Sequence, residues 1–172
     1  MRHGLWEGRY DGPVFGRIPQ EWRGLYSFTF VRHPLDRAVS AFADFVQLRG
    51  FRGTVGDFVD VIIDDSIPYS DVNGASSEAV RKNKSEIAIR HHTIPQTHPF
   101  NCLKEASFVG RFENYRDDLE TILQTVGLVS ADIPKLRETD HYGFANHLSH
   151  KEIARLTEFY FEDFQLLGYE TP

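Results

Sequence analysis

The run Phe30-Val-Arg-His-Pro-Leu-Asp-Arg-Ala-Val-Ser40 carries the first chemistry the chain offers. In open parallel sheets, ligands gather at the carboxyl ends of strands, where the following helix presents free N–H groups and a positive dipole. Arg32 falls at that edge, and Ser40 follows ~9 Å along the helix axis from Pro34 at ~1.5 Å per residue. A guanidinium fork and a hydroxyl so placed can grip one phosphate. The plainer arrangement pairs Arg32 with Asp36 across the first helical turn and leaves Ser40 at the surface.

The histidines form a second group. His141, His147 and His150 with Asp140 offer imidazole and carboxylate ligands, the basis of a remote alternative, a His/Asp metal-dependent hydrolase. Their spacing is not His-Glu-x-x-His, and Ser149 with Glu152 reads better as a helix cap, so no metal is expected. His91 and His92 precede Pro95-Gln96, a segment that either lines a substrate site or is a polar loop. Arg111 and Glu113 are expected to brace a strand–helix junction by charge pairing rather than to touch a ligand.

These residues need elements to hold them. Tyr26 to Arg32 is aromatic and β-branched and reads as a strand. Pro34 suits a first helical position, and Leu35, Val39, Phe42 and Val46 recur at helical spacing, so the pattern predicts a helix over 34–48 with Asp36, Ser40 and Asp44 on its other face. Thr54 with Asp57 resembles a capping box before Phe58, Val59, Ile62 and Ile63. Residues 64–85 turn polar and read as a long loop, either a lid over a site or without fixed structure. Ser107 to Phe112 reads as a second buried strand. Asn114 is placed to cap a helix with Leu119, Ile122, Leu123 and Val126 on its apolar side, closed by Gly127. Ser149 and Glu152 cap a last helix striped by Ile153, Leu156, Tyr160, Phe164 and Leu167. Strands alternating with helices predict an α/β fold with a mainly parallel sheet.

Composition bounds what such a fold can do. The 172 residues suit one domain that buries a core unaided. Lysine and arginine total 19 against 25 acidic residues, a net charge of −6. That balance disfavours nucleic acid as a partner and makes any anion site local. The single cysteine, Cys102, excludes an intrachain disulfide and fits a reducing compartment. No apolar run approaches the ~18 residues that span a bilayer, and the first residues lack a signal peptide's apolar stretch. A cytoplasmic chain is expected, the alternative being the lumenal part of a membrane-anchored protein. Residues 1–25, with Gly4, Gly8, Gly12 and Gly16 among aromatics, read as a turn-rich lead-in.

Taken together, the motifs resemble a known family. Phe28-Thr-Phe-Val-Arg-His-Pro-Leu-Asp-Arg-Ala-Val-Ser-Ala-Phe42 is similar to the 3′-phosphate-binding motif of the carbohydrate sulfotransferases, the group of chondroitin, dermatan and heparan 2-O enzymes and bacterial relatives. Phe108-Val-Gly-Arg-Phe-Glu-Asn114 with Asp117 and Asp118 resembles the family's downstream strand–helix signature. Tyr160, Asp163, Phe164, Gly168 and Tyr169 resemble its closing helix, and the Thr54–Ile63 and His92–Gln96 segments also find counterparts. The likeness covers about residues 26–170 of a single domain, 1–172.

The resemblance implies a P-loop-NTPase-like parallel sheet flanked by helices. It implies an enzyme that moves a sulfuryl group from 3′-phosphoadenosine 5′-phosphosulfate (PAPS) to a hydroxyl of a carbohydrate or related acceptor, without metal. Arg32 and Ser40 would bind the donor's 3′-phosphate. His3 would be the catalytic base, being the one histidine in the region where several members carry theirs. The family's N-terminal strand, loop and helix, which cradle the 5′-phosphosulfate, have no counterpart in residues 1–25. A truncated or degenerate relative that binds nucleotide or sugar without turnover is therefore the alternative.

Overall fold

A computed structural model describes residues 20, 23–69, 84–128 and 148–172. Two short strands, β1 (Phe28–Val31) and β2 (Phe108–Arg111), run parallel, with Phe28 opposite Phe108 and Val31 opposite Arg111. A parallel pair needs a long crossover. Here it contains α1 (Pro34–Leu48), α2 (Val55–Ile63) and α3 (Lys84–Thr93). β2 passes through a 3-10 turn, Phe112–Asn114, into α4 (Tyr115–Thr125), and the chain closes with α5 (His150–Phe159) and α6 (Phe161–Leu167). The mixed α/β class expected from the alternation is present; among the described residues the sheet has these two strands.

The core lies between helices rather than over the sheet. Leu35, Ala38, Phe42 and Phe45 of α1 meet Phe58, Val59 and Ile62 of α2, Ile89 of α3, Leu156 of α5, Tyr160 at the closing turn between α5 and α6, and Phe164 of α6. Phe58 stacks edge-on against Phe42 and Phe51 at 5.3 and 5.5 Å between ring centroids, a favoured aromatic geometry. Both capping boxes form. Thr54 accepts the Asp57 N–H and Ser149 that of Glu152, and each acidic side chain returns a bond to its cap residue's N–H. α1 has the bounds that its periodicity predicts.

Three expectations need correction. The polar stretch from Asp64 does not stay irregular to Ser85, because α3 begins at Lys84. Its apolar residues Ile87 and Ile89 have no helical period, and packing of Ile89 into the core supplies what the pattern lacks. Asn114 makes no side-chain cap bond to α4, since the chain first tightens into the 3-10 turn. Of that helix's apolar stripe only Ile122 is buried, although Gly127 does adopt the left-handed φ of +73° just past its end. Finally, the stripe from Ile153 to Leu167 spans two helices. Tyr160 leaves helical geometry at φ −96°, ψ 19°, while its N–H still bonds Leu156 and its carbonyl still accepts from Phe164, so the apolar face continues across the break.

Candidate functional site

Arg32 is the first residue beyond the β1–β2 ladder, at the carboxyl edge of the sheet. Its backbone is held by a side chain. The primary amide of Gln96 accepts the Arg32 N–H at 2.8 Å and donates to the Arg32 carbonyl at 2.8 Å. The guanidinium lies over the Phe112 ring, 4.8 Å from its centroid, and not against Asp36. Among the described residues no hydrogen bond or ion pair uses the guanidinium's N–H groups. Neighbouring arginines differ. Arg37 donates to the His92 and Ile94 carbonyls, and Arg111 donates to the Leu167 carbonyl. Toward the described residues Arg32 therefore presents its donors unspent.

The next peptide is held just as firmly. Glu113 accepts the His33 N–H at 2.7 Å and the Tyr169 hydroxyl at 3.1 Å. Burial opposes its ionisation, but the His33 N–H, its own N–H, the Tyr169 hydroxyl and the charge of Arg32 outweigh this and hold the carboxyl below its ordinary value. Burial, then the Glu113 charge, pushes the Tyr169 phenol up to about 12. The Arg111 guanidinium lies over the Tyr169 ring at 4.5 Å. Arg111 and Glu113 thus brace the junction, as expected of them, but through Tyr169 rather than by pairing with each other. Pro34 has no N–H to offer, and His33 gives its own to a carboxylate, so the start of α1 already faces negative charge. An incoming anion would be met by the Arg32 side chain.

Ser40 lies two turns into α1, half-buried, with no side-chain hydrogen bond among the described residues. His92 is not in a loop but in the last turn of α3, its ring edge-on to Phe45 at 5.5 Å. Crowding by the protein, then the charges of Arg49 and His91, lower it to about 4. His3 lies outside the described residues, as do His141, His147 and Asp140; His150 opens α5. A hollow of about 330 Å³ is bordered by Arg23 to Ser27, Glu105 and Ser107. It sits at the amino ends of the strands, the opposite end from Arg32, where parallel sheets do not place their ligands.

Sequence reasoning passed over Gln96 and Asp163 as site residues. Asp163 is fully buried, and its carboxylate accepts the Gln96 N–H at 2.7 Å, the Thr97 N–H at 2.8 Å and the Thr97 hydroxyl at 2.7 Å. A signal was present, for Asp163 falls on the same helical stripe as Leu156, Tyr160 and Phe164. A carboxylate on an apolar face is a buried, partnered one.

Among the described residues, then, a cation with unspent donors stands at the carboxyl end of a parallel strand of an α/β protein, followed by a helix with an unpaired hydroxyl, an arrangement that can take an anion. The family model described as "Sulfotransferase family" matches residues 16–170, and the chain belongs to that family. Sulfuryl transfer in general follows from this membership. No curated protein and no solved structure is significantly similar to the chain. No helix among the described residues is long and apolar enough to cross a membrane.

Proposed function

We propose that the chain is the donor-binding domain of a carbohydrate-type sulfotransferase, with PAPS as the sulfuryl donor and Arg32 and Ser40 on its 3′-phosphate. The observation that carries this reading is the Arg32 guanidinium, at the sheet edge with its backbone fixed and its N–H groups without a hydrogen-bond or ion-pair partner among the described residues. A phosphate there would take a bidentate fork from Arg32 and a hydroxyl bond from Ser40, with Phe112 backing the cation. The class of site is that of P-loop-like sheets, in which the strand end and the next helix share one anion.

Transfer of the sulfuryl group requires the acceptor oxygen in line with the leaving phosphate oxygen, cationic donors on the developing charge, and a base for the hydroxyl proton. When the oxygen–sulfur bond to the acceptor forms, the sulfur–oxygen bond to the nucleotide breaks, and the nucleotide 3′,5′-bisphosphate departs with the electron pair. His3 is proposed as the base. The acceptor is a hydroxyl of a carbohydrate or related molecule, and the compartment proposed is the cytoplasm.

Titration calorimetry with 3′-phosphoadenosine 5′-phosphate tests the reading directly. Saturable binding supports it, and absence of binding at millimolar nucleotide overturns it. Among the described residues the motifs found serve the 3′-phosphate side of the donor. Saturable nucleotide binding without release of the bisphosphate from PAPS over a panel of sugar acceptors would therefore identify the alternative, a binder without turnover.

A further inference from the structure

Arg32 has left the ladder, so no strand partner fixes its backbone, yet both of its backbone polar groups are bonded. The partner is one side chain, whose amide oxygen and nitrogen sit opposite the Arg32 N–H and carbonyl, each at 2.8 Å. Gln96 therefore does for one residue what an adjacent strand does for several. A primary amide can do this only if its own rotamer and backbone are fixed.

Both are fixed. Gln96 is 7% exposed, and the turn that carries it is pinned from two sides. Below it, the buried Asp163 gathers the consecutive N–H groups of Gln96 and Thr97 and the Thr97 hydroxyl. Above it, the Asn101 side-chain amide donates to the Pro95 carbonyl at 2.8 Å and the Gln96 carbonyl at 3.2 Å. Burying a carboxylate is costly, and three donors within 2.8 Å offset that cost. The carboxylate serves a turn whose main outward product is the Gln96 amide on Arg32.

We infer that Gln96, held by Asp163, is a positioning residue for the donor site: it fixes the Arg32 backbone so that the guanidinium meets the nucleotide's 3′-phosphate in bidentate geometry. This rests on the reading of Arg32 given under the proposed function. Gln96 touches no ligand; it acts by limiting where the Arg32 side chain starts. A guanidinium on a loosened backbone keeps its charge and loses its aim, so the cost falls on discrimination at the 3′ position.

The experiment compares binding of 3′-phosphoadenosine 5′-phosphate with that of adenosine 5′-monophosphate, by calorimetry, for wild type, Gln96→Met and Gln96→Glu. Methionine keeps the length and apolar contacts of glutamine and removes both bonds. Glutamate keeps an acceptor for the Arg32 N–H but sets a carboxylate against the Arg32 carbonyl and adds a charge near the site, so its monophosphate affinity also reports that charge; it is the second variant should Gln96→Met not fold. The expected result is a fall of about tenfold or more in the preference for the 3′-phosphorylated nucleotide, the scale of one charge-assisted bond, with monophosphate affinity little changed. A folded variant that keeps the wild-type preference overturns the inference while leaving the donor-site reading intact. Wild type without any 3′ preference overturns that reading and this inference with it. An equal loss for both nucleotides marks a merely structural role and also overturns the inference.

Discussion

Glu113 accepts the His33 N–H at 2.7 Å across 80 positions of sequence, closing the start of α1 with a carboxylate that comes from beyond β2. The bond ties the two strand ends together just past their last ladder pair, and it puts a fixed negative charge beside Arg32. The carboxylate's close partners are an amide and a phenol, so it stands near Arg32 without pairing with it.

Arg32→Ala should lower affinity for 3′-phosphoadenosine 5′-phosphate by ~1.5–3 kcal/mol, the worth of a charge-assisted bond to phosphate. Arg32→Lys should recover part of this, since it restores charge without the fork. Thermal stability should change little, because the Gln96 clamp uses only the Arg32 backbone and what is lost is the Phe112 contact and a screened attraction to Glu113. Calorimetry beside a melting curve checks both halves. Unchanged affinity in the alanine variant would remove Arg32 from the site.

Glu113→Gln probes the pH dependence of stability. The folded-state pKa of Glu113 lies below its ordinary value, so its stabilising contribution is present above the unfolded value of 4.5 and is lost as pH falls through the folded one. Wild type should therefore exceed the variant at pH 7 and converge with it in strong acid. The side chain is largely exposed, and screening keeps the difference within ~1 kcal/mol. Urea midpoints at pH 7 and well below pH 4.5 give the comparison; a gap that widens in acid would contradict the assignment.

Arg90→Met should destabilise the fold by ~2–5 kcal/mol, because two carbonyls lose their donor inside the protein. The Arg90 guanidinium is 3% exposed, donates to the Ile62 and Ile67 carbonyls and stacks on Tyr69 at 4.2 Å. Equilibrium urea unfolding measures the loss. A drop below about 0.5 kcal/mol, the scale of an ordinary surface change, would show that the guanidinium is replaceable there.

Gly110→Ala tests the close approach of ring to strand. A Cβ at this position would lie 2.6 Å from Phe30 Cε1 and 3.2 Å from Asp118 Cβ. The ring cannot retreat freely, since Phe30 also packs against Tyr115 at 4.9 Å between centroids. Overpacking of this kind costs ~1–3 kcal/mol, which equilibrium urea unfolding measures. An alanine variant as stable as wild type would mean that the ring has room to move.

Much of this was legible in the residues. Pro34 at a first helical position and the spacing of Leu35, Val39 and Phe42 specify α1 to its ends, because local chemistry and burial agree there. Thr54, Asp57, Ser149 and Glu152 announce their caps for the same reason. That Arg32 ends the strand and Ser40 lies on the helix that follows could be read from the strand-to-helix step alone. What could not be read were the long-range partners. Nothing in Pro95-Gln96-Thr97 says that an amide will reach back 64 positions to Arg32, and α3 owes its helix to Ile89 in the core rather than to any period. The break at Tyr160 is equally tertiary, its hydroxyl donating to the Thr93 carbonyl at 2.7 Å from inside the core.

The closing turn and α6 have a consequence for the order in which the protein is made. β1 leaves the ribosome early, but Arg32 waits for Gln96, Gln96 for Asp163, and His33 for a Glu113 that is seated by Tyr169. Each bond in this chain spans more than fifty positions, so the nascent strand cannot assemble the proposed donor site while α6 is still in the exit tunnel. Nucleotide added during synthesis is therefore expected to find Arg32 unpositioned until Tyr169 has cleared the ribosome.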